Sequence, residues 1–196
     1  MYKVIGGVKS RTLRVLWMLE ELGLEYEHLP AAPRSADVVA FNPAGKVPVL
    51  IVDGAPITDS VAIMTYLADK HGNLTYPAGT HERARQDSLT QFINEEFDGL
   101  LWMASRHSFI LPEEMRIPAI KDSLRWEFER SQTALLPRMA EDGPFLMGEK
   151  MTIPDMLLAH CGGWAITAKF PISEPRIRDF IAMMRDRPAF ARAMDR

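Results

Sequence analysis

Cysteine is almost missing from this sequence: Cys161 stands alone among 196 residues. One thiol cannot close an internal disulfide, which fits a reducing compartment. Without Cys pairs or clustered histidines there is no zinc-site spacing, so no metal is expected. A surplus of either charge is absent too, with 23 Lys and Arg against 26 Asp and Glu and a net charge of -3. Nucleic-acid binding and solvating charged tails are therefore not expected. No apolar run approaches the roughly 18 residues of a membrane span. Residues 1–5 read as a strand and lack the charged and apolar regions of a secretory leader. The expectation is a cytoplasmic protein with no membrane partner.

What remains is an ordinary globular composition, 47% hydrophobic and 25% charged, in a chain long enough for two small domains. Residues 2–5 read as a strand broken by Gly6-Gly7, and residues 8–11 as the turn into a helix over 12–22. Leu13, Val15, Leu16, Trp17, Met18, Leu19 and Leu22 make that helix apolar around much of its surface, as burial against a sheet requires. Gly23 supplies its stop, and residues 26–29 give a second strand, parallel to the first by the β-α-β rule. A short polar helix or turn over 34–41 follows. Then comes Asn42-Pro-Ala-Gly-Lys-Val-Pro-Val-Leu50. The residue before a proline is biased to extended geometry, so Val47 is expected extended, leading into a strand over 49–52. Asp53-Gly54 is a strong hairpin signal joining it to residues 55–57. Asp59-Ser60 then sets a carboxylate and a hydroxyl beside the free N–H groups of a helix start, where anionic ligands are favoured.

Gly72 to Thr80, with Pro77 and Gly79, is the expected domain boundary. Everything beyond it reads helical: a long helix over 81–107 with Gly99 as a soft point, one over 119–139, one over 156–169, and closing helices over 175–185 and 188–194. Thr152 and Asp155 have capping-box spacing with Asp for the usual Glu, Pro154 lies in the first turn, and Met151 and Met156 are placed as a hydrophobic staple. The predicted domains are 1–75 and 81–196.

Gly-Lys-Val-Pro-Val-Leu, a hairpin and a Thr-Asp-Ser helix start resemble the N-terminal domain of the soluble glutathione S-transferases. Thr152-Ile-Pro-Asp155 and Arg187-Pro-Ala-Phe190 resemble the core-helix start and the ending of that family, so the likeness runs almost the full chain. It implies a thioredoxin-like domain, β-α-β-α-β-β-α, followed by an all-helical domain. It also implies glutathione as co-substrate, bound by Lys46, by the backbone of Val47 before a cis-Pro48, and by Asp59 and Ser60 at the γ-glutamyl end. A homodimer is implied as well.

Glutathione transfer needs a thiolate, and free thiols ionise near pH 8.5. A hydroxyl donor, a helix N-terminus and nearby positive charge can lower that value. Ser10, Arg11 and Thr12 offer them, with Ser10 as the candidate donor to sulfur; equally, Ser10 serves as N-cap of its helix. Here the chain departs from the family's commonest pattern. The usual catalytic Tyr or Ser position falls on Gly7, and Ser10 matches the place where some bacterial members carry cysteine. For the second substrate, Trp102, Met103, Arg106 and His107 late in the long helix, and Trp164 beside Gly162-Gly163, are the candidates. Trp102, Met103 and Trp164 read first as core residues and second as pocket residues. Three functions fit: transfer of glutathione to a small electrophile, glutathione-dependent reduction of a peroxide or disulfide, and non-catalytic partner binding.

Overall fold

The computed structural model describes every residue from Met1 to Arg196 and divides the chain into two compact units. The first comprises residues 1–78 together with 185–196, the second residues 79–184. The C-terminal stretch 185–196, which the sequence reading assigns to the helical domain, thus groups with the first unit.

The first unit is built on four short strands, β1 (Tyr2–Ile5), β2 (Tyr26–Leu29), β3 (Val49–Val52) and β4 (Ala55–Thr58). Their order is β2-β1-β3-β4, with β1 parallel to β2 and antiparallel to β3, and β3 antiparallel to β4. This is the thioredoxin-like arrangement. Pro56, which cannot donate to a ladder, lies on edge strand β4, where it is tolerated. On one side Ile5, Val49, Ala31 and Val38 form a small core, with Val47 packed against it. The last of these, Val38, lies on the short helix α2 (Ala36–Val39).

Helix α1 (Thr12–Leu22) buries every side chain from Thr12 to Leu19. Gly23, at φ 64°, ends it in the left-handed conformation, and Leu24 N–H returns to the Leu19 carbonyl, a Schellman-type stop. The apolar girth read from the sequence is matched by helices as well as by the sheet: α3 (Ser60–His71) and α9 (Pro188–Met194) both pack on α1. Trp17 meets Phe190 edge to face at 5.0 Å.

Around that contact, the end of α1 is tied down by arginines. Arg187 grips Glu21 with two hydrogen bonds, at 2.6 and 2.9 Å. Glu20 accepts from Arg192, Arg196 and the Tyr26 hydroxyl. Burial pushes the Glu20 carboxyl up, but the hydrogen bonds from Arg196, Arg192 and Tyr26 outweigh it and hold the group at about 2. A carboxyl depressed from 4.5 contributes stability at pH values above 4.5, and that contribution is lost as pH falls through about 2. Because Arg192 and Arg196 are about half exposed, solvent screening limits the effect. Glu20→Gln is expected to cost about 1 kcal/mol at pH 7. In urea denaturation that difference should shrink towards pH 2.

The second unit is helical: α4 (His81–Ile93), α5 (Leu100–Ser105), α6 (Ile120–Leu135), α7 (Ile153–Ala168) and α8 (Pro175–Arg185), whose last residue belongs to the first unit. The predicted long helix exists but is not uniform. Two wider π-helical turns, Asn94–Gly99 and Arg106–Ile110, flank α5. Such turns insert a residue into the α pattern and recur at functional sites. Phe97, Phe128 and Phe170 stack edge to face, at 5.2 and 5.5 Å, to form the centre of this unit. Helix α7 is its most buried element. Asp155 reaches back to accept from the N–H and hydroxyl of Thr152 at 2.7 and 2.9 Å, and from Leu146 N–H at 2.7 Å. Met151 and Met156 are both buried, as a staple requires. No helix is long and apolar enough to cross a membrane.

Candidate functional site

Three pieces of the first unit converge beyond the ends of β1 and β3. The first is the turn into α1. Gly6 has φ 138°, and a Cβ placed on it would lie 2.2 Å from Thr12 Oγ1 and 2.9 Å from Val47 Cβ. Glycine is therefore what lets the start of α1 and the Val47 loop close on the strand end. His28 on β2 fixes the same spot, its Nε2 lying 2.8 Å from the Gly6 carbonyl oxygen.

Within this turn Ser10 is half-buried. Its hydroxyl lies 2.7 Å from the Gly7 carbonyl and 2.9 Å from Thr12 Oγ1, and its oxygen accepts Thr12 N–H at 3.1 Å. The helix spans 12–22 as read from sequence, but its N-cap is Arg11 rather than Ser10 and makes no side-chain cap bond. Ser10 nonetheless satisfies one of the free N–H groups at the helix start. Thr12 is fully buried, so its hydroxyl lies inside the turn. Gly7, the commoner hydroxyl position, has open space: a Cβ there meets nothing within 4 Å. Crowding is not the reason it lacks a side chain.

The second piece is the loop before β3. Asn42 shapes it, donating from Nδ2 to the Lys46 carbonyl at 2.9 Å and accepting Ala44 N–H on Oδ1. Gly45, at φ 66°, packs against Arg34, where a side chain would collide. Lys46 is exposed, Val47 is half-buried, and the Val47-Pro48 bond is cis, as the resemblance implied. The N–H and C=O of Val47 make no hydrogen bond within the chain. Partly buried backbone groups are normally paired, so these are open to a partner.

The third piece is the start of α3. The β3–β4 ladder pairs Val49 with Thr58, so the loop before β3 and the start of α3 leave the same end of that strand pair. Asp59 caps α3 with Oδ1, which accepts Val61 and Ala62 N–H at 2.9 and 3.1 Å, while Oδ2 accepts nothing. It does so at φ 72° and ψ 125°, a sparsely populated conformation for a residue with a side chain. Strain of this kind is maintained by its surroundings and gathers at functional sites. Ser60 is only 3% exposed, and behind it lies Arg14, fully buried on α1, whose Nη1 donates to Ser60 Oγ at 3.2 Å.

Sequence reading missed two of these residues. Arg14 hides among the apolar positions of α1, and His28 is an isolated polar residue on a strand; neither carries a local motif.

The candidates for a second substrate all lie in the second unit. Trp102, Met103, Arg106, His107 and Trp164 are each half-buried. The α-helical spacing that would align Met103 with Arg106 and His107 ends at Ser105, where the second π turn takes over. His107 accepts Ile117 N–H on Nδ1 at 3.1 Å, which ties down the segment after the helix. Cys161 is buried in α7.

Residues 10–70 match the glutathione S-transferase N-terminal domain family. Glutathione transferase GST 23 of Zea mays is 35% identical over 106 residues, which is 51% of this chain and 48% of the maize protein, so the match spans less than half of that relative. Glutathione S-transferase GstA of Escherichia coli O157:H7 is 30% identical over 156 residues, covering 78% of this chain and 74% of GstA. Among solved structures, the crystal structure of a glutathione transferase from Methylococcus capsulatus superposes with a TM-score of 0.86 at 28% identity, covering 100% of this chain and 98% of that one. A turn, a cis-proline loop and a strained helix cap meet at one place here, on a chain this similar to GstA along most of both lengths: the protein belongs to the glutathione S-transferase family.

Proposed function

We propose that the chain binds reduced glutathione and activates its thiol for attack on a small electrophile. The observation that carries this reading is the unpaired backbone of Val47, at the same end of the β3–β4 pair as the capped start of α3. An extended peptide can pair with such an edge through its own N–H and C=O, as in strand addition. The cysteinyl part of glutathione pairs with Val47. Asp59 takes the γ-glutamyl ammonium on its open oxygen, Ser60 takes the γ-glutamyl carboxylate, and Lys46 adds positive charge beside the tripeptide.

The sulfur then lies towards the start of α1, where the helix N-terminus, Ser10 and Arg11 favour the thiolate. The thiol proton leaves to solvent, sulfur forms a bond to the electrophilic carbon, and the displaced group departs with the bonding electrons. Trp102, Met103, Arg106, His107 and Trp164 of the helical unit receive the electrophile. The protein works as a cytoplasmic homodimer, in detoxification or the breakdown of a single compound.

A second reading has its own observation. Gly7 offers no hydroxyl, and the Ser10 hydroxyl is turned onto the Gly7 carbonyl. This favours a protein that binds glutathione without transferring it, or one that lets two glutathiones reduce a peroxide to alcohol and water while forming their disulfide.

Calorimetric titration with reduced glutathione, followed by turnover of an electrophilic aryl halide, separates these. Saturable binding with conjugation supports the transferase. Ser10→Ala should then lower turnover about tenfold at pH 7 and move the pH–rate profile upward, because less of the thiol is ionised. Unchanged turnover and profile would leave Ser10 as a turn residue, with Thr12 or backbone N–H groups holding the sulfur. Binding without conjugation selects the second reading.

A further inference from the structure

The peptide between Gly6 and Gly7 stands at the end of β1, and its two polar groups are treated differently. The Gly6 carbonyl oxygen lies 2.8 Å from His28 Nε2, whereas Gly7 N–H makes no hydrogen bond within the chain. We infer that the Gly7 N–H donates to the thiolate sulfur of bound glutathione, and that His28 is the positioning residue that aims and polarises it. The inference rests on the glutathione reading above and deepens it at the sulfur.

A carbonyl oxygen only accepts, so Nε2 of His28 carries the proton in this contact. Gly6 N–H in turn donates to the Leu29 carbonyl at 3.0 Å. Both polar groups of Gly6 are thus held from the β2 side, by adjacent residues of that strand. The one cis bond of the chain is Val47-Pro48, so the Gly6-Gly7 peptide is trans and its N–H points opposite to its C=O. Strand β1 lies between β2 and β3. Gly7 N–H therefore points away from β2, to the side from which the Val47 loop approaches. The sulfur of a cysteinyl unit paired with Val47 arrives on that side.

Space and charge agree with this. Gly7 is half-buried, and a Cβ built on it meets nothing within 4 Å, which leaves room for a large atom beside the N–H. A partly buried N–H is normally paired, and here only a ligand can supply the acceptor. The neighbouring acceptor, the Gly7 carbonyl, is covered by the Ser10 hydroxyl at 2.7 Å and so does not face an anion bare. Linked hydrogen bonds polarise one another, so donation from His28 to the carbonyl strengthens the N–H at the other end of the same peptide. The N–H keeps its proton throughout, and the thiol proton goes to solvent.

The test follows the ultraviolet absorbance of the bound thiolate against pH. In wild type the midpoint should lie below that of free glutathione. His28→Leu should raise it by about half to one pH unit, roughly threefold to tenfold less thiolate at a fixed pH below the midpoint. His28→Gln, which keeps a side-chain N–H, should recover part of the shift. Affinity for S-methylglutathione, which has no thiol to ionise, should stay as in wild type. A merely structural His28 would weaken both ligands alike and leave the midpoint in place, and that result overturns the inference. If His28→Leu does not fold, the Gly7 amide resonance of the wild type decides. It should move downfield with reduced glutathione, in step with thiol ionisation, and not with S-methylglutathione; equal shifts with both overturn the inference. A bound thiol that ionises like the free one also overturns it while leaving glutathione binding intact. A wild type that binds neither ligand at millimolar concentration overturns the glutathione reading itself, and the role of Gly7 with it.

Discussion

Asp155→Ala should lower the stability of the protein by about 3 kcal/mol or more, because buried donors left unpaired cost about 1–3 kcal/mol each. The carboxylate is fully buried and accepts from the backbone N–H of Leu146 and Thr152 and from the Thr152 hydroxyl. Alanine would orphan two buried N–H groups at once, at the entrance to the most buried helix of the second unit. A shift of the urea midpoint would register the loss. Asp155→Asn should cost less, since the amide oxygen can still accept one of those bonds. The pH dependence distinguishes a charge effect from a packing effect. Burial pushes the Asp155 carboxyl up to about 6, against the pull of its hydrogen bonds from Leu146 and Thr152. A carboxyl raised from 3.8 contributes most below 3.8 and loses that contribution as pH rises through about 6. The penalty of Asp155→Asn should therefore be larger at pH 4 than at pH 7. An equal penalty at both would show that Asp155 acts only through shape.

Features encoded over a few residues are legible in the amino-acid sequence alone. Asp53-Gly54 marks the hairpin, Thr152-Ile-Pro-Asp155 the capped helix, and Gly23 the helix stop, because each depends on backbone angles or on hydrogen bonds within one turn. The cis bond at Pro48 came only through resemblance, since a proline alone does not choose it. What stayed hidden is long-range or subtle in period. Arg14 meets Ser60 across 46 residues, His28 meets Gly6 across 22, and Arg196 meets Glu20 across 176. No spacing rule links such pairs. The C-terminal stretch joined the first unit for the same reason: Arg187, Arg192 and Arg196 find their carboxylates on α1. The π turns around α5 carry no local signature, because no residue type at a fixed spacing marks where the extra residue is inserted. In the candidate site the motifs give positions along the chain, but not which way their groups face. That Ser10 turns onto Gly7, and that Val47 keeps both backbone groups unpaired, are facts of packing.

At Asp59 the expected effect is on binding first and stability second. Asp59→Ala should weaken reduced glutathione by about tenfold to a hundredfold, the range of a hydrogen bond between charged groups. It should also cost about 0.5–2 kcal/mol of stability, because Oδ1 caps the N–H groups of Val61 and Ala62. The loss of the cap alone could disorder the start of α3 and weaken the ligand indirectly, so alanine by itself cannot assign the role. Asp59→Asn separates the two. Asparagine caps helices as well as aspartate does and tolerates the positive φ that this position demands. It cannot offer a negative oxygen to an ammonium. If Asp59 binds the γ-glutamyl ammonium, Asp59→Asn keeps wild-type stability and still loses most of the affinity. If it is only a cap, Asp59→Asn binds glutathione as wild type does and alanine alone fails. The geometry favours the first outcome: Oδ1 is spent on the helix, Oδ2 is not, and the strained backbone that sets both is more than a cap requires.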